Sequence, residues 1–337
     1  MSTNPLKGWT LDPAEVRMIG HDLQRPECIL AERDGTIWTA DARGGVMRIA
    51  PDGSQQLVTQ VESKAFDLDA DPARSLLEGT LPNGLAIAEN GDFLIANFGT
   101  DRLERMSRDG RTEVIFDSID GEWLGKVNFV LRDSRNRLWV TISTKVNPWS
   151  DAVCPSTDDG LIVLVDDKGA RIVADGLAFT NEVRMDAGEE WLYVAETTGK
   201  RVSRMRVTED GLGPREIYGP SNLGRGLIDG IAFDVYGNLW LTMVFADRLL
   251  AITPDGELLQ LFEDGDQAAT DAFEAEFASG KPVSFDTLFA TGGKLCPWLA
   301  SVTFSGPDLR TVLLGGLRTT SIPSFRSPVA GLPMVHW

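Results

Sequence analysis

Five side chains of this 337-residue protein share one position in a repeated pattern: Glu27, Asn83, Asn128, Asn181 and Asp229, at intervals of 56, 45, 53 and 48 residues. All of them present oxygen. Two carboxylates and three amides aimed at one point would repel or stay unsatisfied around an empty space, whereas a divalent cation takes up their lone pairs. The donor set contains neither thiolate nor imidazole, which suits a hard cation: Ca²⁺ first, with Mg²⁺, Mn²⁺ or Zn²⁺ as alternatives. Glu27 and Asp229 balance its two charges. Because Ca²⁺ takes roughly 6–8 ligands, four or five side chains leave room for water and a substrate.

The equivalence rests on hairpins that must position these groups. "LIDGIAFDVYGNLWL" from Leu227 reads as an apolar strand, a turn at Tyr236-Gly237-Asn238 and a second apolar strand. "RPECILAERDGTIWT" from Arg25, "LPNGLAIAENGDFLI" from Leu81, "KVNFVLRDSRNRLWV" from Lys126 and "TNEVRMDAGEEWLYV" from Thr180 superpose on it without gaps. Trp38, Leu94, Trp139 and Leu192 then stand under Trp240. A period near 50 with several short strands per unit is that of a propeller blade. A sixth, less regular copy, "LASVTFSGPDLRTVLLGG" from Leu299, places Leu313 under Trp240 and Val302, or its immediate neighbour, in the donor column. That copy supplies no ligand. The predicted fold is all-β: one six-bladed β-propeller over residues 1–337, with four-stranded blades around a central metal site and residues 1–20 as an N-terminal arm or closing segment.

Two further columns read as structural. Glu32, Asp133, Asp186 and Asp234 stand five residues after the donors, beside the turns, where acids bond the local backbone. Trp38, Trp139 and Trp240 are apolar fillers between blades. Asn83-Gly84 and Asp229-Gly230, taken singly, are also ordinary turn dipeptides.

Fifty acids against 32 basic residues give a net charge of −18, which disfavours nucleic acid and anionic membranes as partners. No run of eighteen apolar residues and no secretory leader pattern is present, so a cytoplasmic location is expected. Cys28, Cys154 and Cys296 lie far apart and read as buried thiols. The two histidines, His21 and His336, sit near opposite ends, and GxSxG, HExxH and Walker-type patterns are absent. Chemistry must therefore run through a cation and carboxylates. Lys126, two residues before Asn128 and on the same strand face, is positioned to offer a cation to a bound oxyanion. The segment 143–160, with Pro148 and Trp149, is long enough to shape or cover a pocket.

On these residues the chain resembles the SMP-30/gluconolactonase/luciferin-regenerating-enzyme family of six-bladed propellers. The resemblance runs from "RPECILAERDGTIWTADARGGV" through "LPNGLAI", the Asn128 and Asn181 hairpins and "IDGIAFDVYGNLW" to "FSGPDLRTVLLGG". It implies that Glu27, Asn128, Asn181 and Asp229 are the metal ligands, with Asn83 a substrate or second-layer contact. Members often carry an acid where this chain has Phe129, Arg where it has Lys126, Gly where it has Glu182, and Gly-Pro after the first-blade Glu where it has Cys28. Phe129 and Lys126 in particular predict a pocket of different polarity.

The expected activity is a metal-dependent lactone hydrolase, in which the cation polarises a carbonyl, water attacks, and Asp229 takes its proton while Glu27 anchors the metal. A small-molecule lactone is the expected partner. The resemblance also implies phosphotriester cleavage on the same apparatus, and a propeller whose axial cation only staples the blades is the non-catalytic alternative.

Overall fold

The computed structural model describes residues 3–61 and 80–337. Six four-stranded antiparallel sheets follow one another along the chain, each beginning at the strand nearest the axis. The inner strands are Ile29–Ala31, Pro82–Ile87, Val127–Arg132, Thr180–Met185, Leu227–Phe233 and Leu299–Ser305. Successive inner strands pack on one another around the ring. They are buried along nearly their whole length, whereas an outer strand such as Gly169–Leu177 is largely exposed on one side. This gradient explains the near-continuous apolar runs of the first two strands in each unit.

The ring closes with strands from both ends of the sequence. Arg17–Ile19 pairs antiparallel with Ile322–Arg326 and completes the sixth sheet. Residues ahead of it buttress the same seam: Leu6 and Leu11 join the core around Trp240, and Asn4 donates to Asn238 Oδ1 at 2.6 Å.

The two structural columns combine in the first, third and fifth blades. Trp139 and Trp240 are fully buried, and Trp38 nearly so. Each indole donates to the acid six residues earlier: Trp38 to Glu32 (2.7 Å), Trp139 to Asp133 (3.0 Å) and Trp240 to Asp234 (2.9 Å). Asp133 and Asp234 also accept backbone N–H groups in the turn, Asp133 from Arg135 and Arg137, whereas Glu32 meets the Arg108 guanidinium instead. Turn acid and blade filler are thus one device. In the fourth blade the turn is a residue longer, so Tyr193, opposite Arg184, takes the Trp240 position rather than Leu192. It keeps the aromatic character, packing edge-on against Phe233 at 4.8 Å.

Two features depart from the sequence-based expectation. The ladder of the sixth hairpin runs one pair further than that of the fifth, to Ser305 opposite Thr311, and its register shifts at Ala300, between Leu299 and Ser301, so the residue equivalent to Asp229 is Ala300, not Val302 or its neighbour. The chain is also not purely β. Gln267–Ala278 and Phe285–Ala290 are α-helices between the fifth and sixth blades, N-capped by Asp266 and Ser284. Their Phe273, Phe277 and Leu288 pack with Phe245, Val153 and Trp298 at one end of the ring. Among the described residues no helix is long and apolar enough to cross a membrane.

Candidate metal centre

Glu27, Asn83, Asn128, Asn181 and Asp229 line a single cavity on the axis. What aims them there is a repeated irregularity. Four of the inner strands shift register at the donor: between Pro82 and Gly84, Val127 and Phe129, Thr180 and Val183, and Ile228 and Ile231. Such a bulge leaves a residue outside the ladder and re-aims its side chain, which strict strand alternation would direct between blades. Gly84 and Gly230 therefore sit inside strands, not in turns. A Cβ on Gly84 would stand 2.5 Å from Phe129 Cα, and one on Gly230 2.5 Å from Ala300 O, so glycine lets neighbouring inner strands approach where the donors converge. Glu27 is held differently. It precedes its strand, its N–H donates to Arg25 O at 2.8 Å, and its carbonyl accepts the Ser301 hydroxyl across the seam.

The donors touch one another. Asn83 Nδ2 donates to Glu27 Oε1 (2.9 Å) and lies 3.1 and 3.3 Å from Asn128 O and Oδ1, while Asn181 Nδ2 donates to Thr197 Oγ1 (3.2 Å). All five are at most 5% exposed. Asn181 Oδ1 and Asp229 Oδ1 are nevertheless buried without a hydrogen-bond donor, and Glu27 Oε2 has only its ion pair with Arg25 Nη2. Burial raises the Glu27 carboxyl above its ordinary range against the opposing pull of Arg25 and Asn83. It raises Asp229 well above, with the charges of Glu27 and Glu182 adding to the effect. Among the described residues no group of three or more His, Cys, Asp or Glu side chains is placed to hold a metal. The donors here are two carboxylates completed by amides, and their orphaned oxygens fit a hard cation's requirements.

The wall around the donors is aromatic: Phe98, Trp149, Phe179, Phe245 and Trp298. Trp149 and Val153 come from the 143–160 segment, whose Trp149–Ala152 stretch forms a 3₁₀ turn. The space left is about 60 Å³, enough for an ion and a few waters.

Lys126 does not line this cavity. Its ammonium pairs with Asp101 at 2.9 Å and stands 5.6 Å from the Phe98 ring centre. Phe129 and Glu182 also face elsewhere. Each follows a donor at a bulge and belongs to the layer beneath, where Arg184 pairs with Glu182 (2.9 Å) and stacks 4.6 Å from the Phe129 ring centre. Glu182 is pushed up to about 7 by burial, which Arg184 only partly offsets. The unusual Phe129 and Lys126 therefore do not set the polarity of the pocket. Arg25 does. It lines the cavity, its Nη2 lying 2.7 Å from Asn83 Oδ1 and 3.0 Å from Glu27 Oε2. Strand alternation does not reveal it, because Arg25 lies in the turn ahead of the first inner strand, with φ of 55°.

His21 is exposed beside Asp22, and His336 Nε2 lies 3.1 Å from Ala31 O by a separate cavity on the other side of the sheet layer. Neither reaches the donors. The three thiols are buried and unpaired.

Residues 26–273 match the family model described as the SMP-30/Gluconolactonase/LRE-like region. The chain belongs to this family. Among curated proteins, the adipocyte plasma membrane-associated protein of Gallus gallus is 26% identical over 241 residues, covering 67% of this chain and 55% of that protein. The chain spans about half the length of the curated relatives it matches. Among solved structures, a gluconolactonase from Xanthomonas campestris superposes with a TM-score of 0.64 at 16% identity, covering 94% of each chain. Regucalcin from Agrobacterium tumefaciens, described as a calcium-binding protein, superposes at 0.66 and 13% identity over 94% of this chain and 96% of its own. At such identities these two likenesses establish the SMP-30-type propeller as the fold.

Proposed function

We propose that this protein is a divalent-cation-dependent lactone hydrolase, with Ca²⁺ as the cation and Glu27, Asn128, Asn181 and Asp229 as its ligands. The observation that carries the reading is the convergence of donors from five blades on one cavity, where Asn181 Oδ1 and Asp229 Oδ1 have no hydrogen-bond donor and Glu27 Oε2 meets only the Arg25 guanidinium. Membership of a family whose name includes gluconolactonase, and a calcium-binding relative of the same fold, support it.

When bound, the cation supplies Lewis-acid polarisation of a lactone carbonyl and stabilises the charge that develops on its oxygen. The protein's own groups do the rest. Glu27, fixed by Asn83 and the Ser301 hydroxyl, is the rigid anchor. Asp229, buried beside Glu27 and with its Oδ1 free of hydrogen-bond donors, is the carboxylate placed to take the proton of attacking water. Asn128 and Asn181 provide oxygen without further negative charge. Asn83 orients Glu27 and faces the substrate side, and the ring of Phe98, Trp149, Phe179, Phe245 and Trp298 excludes bulk water.

The test is a panel of aldono-, alkyl and aromatic lactones, with a phosphotriester alongside, assayed with Ca²⁺ and with chelator. We expect lactone turnover that disappears with chelation and returns with Ca²⁺. Turnover of the phosphotriester alone would move the reaction class, and a folded, Ca²⁺-loaded protein that turns over neither would leave the cation as a staple.

A further inference from the structure

Arg25 carries an inference about which lactones the site takes, and it rests on the hydrolase reading above. Its side chain is 12% exposed and occupies the cavity wall beside the donors. Only Nη2 is engaged. Nε and Nη1 are buried without any hydrogen-bond partner, so of the five N–H groups of a guanidinium the one on Nε and the two on Nη1 are unmet. Among the described residues eleven buried side-chain N and O atoms lack a hydrogen-bond partner, and five of these fall in this cavity: these two nitrogens, Asn181 Oδ1, Asp229 Oδ1 and Glu27 Oε2, the last held only by its ion pair with Arg25 Nη2. An acceptor-poor, donor-rich edge next to a cation site is a place for an anion.

Charge gives the same answer. Glu27 and Asp229 balance a divalent ion, so the added guanidinium leaves one uncompensated positive charge at the bottom of a pocket walled by aromatic rings. The other nearby ions cancel in pairs, Glu182 with Arg184 and Lys126 with Asp101. A buried excess charge of one sign is costly unless the ligand brings the other. Backbone conformation adds a third sign. Arg25 has φ of 55° immediately before Pro26, a combination that sterics disfavour for a residue preceding proline, and the Glu27 N–H to Arg25 O bond closes the turn that holds both side chains on one side.

We infer that the substrate is a monoanionic lactone, carrying a carboxylate on an otherwise apolar skeleton, with Arg25 binding that carboxylate while the lactone carbonyl faces the donor ring. The ring-opened product is then a hydroxy dicarboxylate. A neutral, polyhydroxylated sugar lactone would leave the charge of Arg25 uncompensated and place hydroxyls against Phe98, Phe179 and Trp298.

The test uses the full chain loaded with Ca²⁺ and a matched pair of substrates, a γ-butyrolactone carboxylate and its neutral primary amide. The ratio of kcat/KM, acid over amide, should be about tenfold or more, should collapse at least tenfold in Arg25→Met, and should be partly kept in Arg25→Lys, with melting curves confirming that both variants fold. Calorimetric titration with the corresponding hydroxy dicarboxylate and its monoamide should show the same preference and the same dependence on Arg25. Equal use of acid and amide, or a preference that Arg25→Met leaves untouched, overturns the inference. If no lactone is hydrolysed at all, the hydrolase reading fails, and the calorimetric preference alone decides whether Arg25 is an anion site.

Discussion

The same inner hairpins carry two columns of acids and amides five residues apart, and the chain treats them in opposite ways. At the turn end, Asp234 accepts from Tyr236 N, Asn238 N, Asn238 Nδ2 and Trp240 Nε1, all within 3.0 Å. At the axial end, Asp229 Oδ1 has no donor and Glu27 Oε2 meets only the Arg25 guanidinium; burial pushes the carboxyls up at both ends, but only at Asp229 do neighbouring carboxylates, Glu27 and Glu182, add to it. The difference teaches how to read a buried acid in a propeller. One whose oxygens are met by its own turn is part of the fold, whereas one left unmet beside others like it is arranged for something that arrives later.

The contrast can be broken most directly at Asp229. Asp229→Ala should weaken Ca²⁺ binding by about a hundredfold or more, while in chelator the variant should be as stable as the wild type or more so, because a buried carboxylate facing Glu27 is gone. Calorimetry and denaturant titration check the two halves. Because binding must displace a proton from the raised Asp229 carboxyl, Ca²⁺ affinity of the wild type should also fall as pH is lowered. Asp234→Ala should do the reverse. It strands four donors and should cost about 3 kcal/mol in urea unfolding, with Ca²⁺ affinity unchanged; an altered affinity would mean that the columns are not independent. The smallest effect belongs to Glu32→Gln. Glu32 is partly exposed and an amide oxygen still meets Trp38 Nε1, so the loss should stay below about 1 kcal/mol.

Much of this was written in the chain because a propeller repeats. Fixed spacing from donor to turn made Glu27, Asn83, Asn128, Asn181 and Asp229 visible as a set and separated them from the acids at 32, 133, 186 and 234. What escaped was local. Gly84 and Gly230 carry turn dipeptides but sit at strand bulges, because their absent side chains admit a neighbouring strand, which only the assembled ring can reveal. An extra turn residue in the fourth blade and an extra ladder pair in the sixth moved Tyr193 and Ala300 into places assigned to Leu192 and Val302. Lys126 stands on the expected strand face but pairs with Asp101, and Arg25 lies in a turn ahead of the first inner strand, outside the alternation that marks a strand's faces. The helices after the fifth blade fall outside the repeat altogether.

The seam where Arg17–Ile19 meets Ile322–Arg326 has a consequence for the axis. A hoop fastened there keeps its circumference, and donors more than 200 residues apart stay within reach of one ion only while that circumference holds. Unfastening the hoop, by cutting the chain near residue 20 for instance, would let the blades fan apart and silence the centre without altering any residue in it.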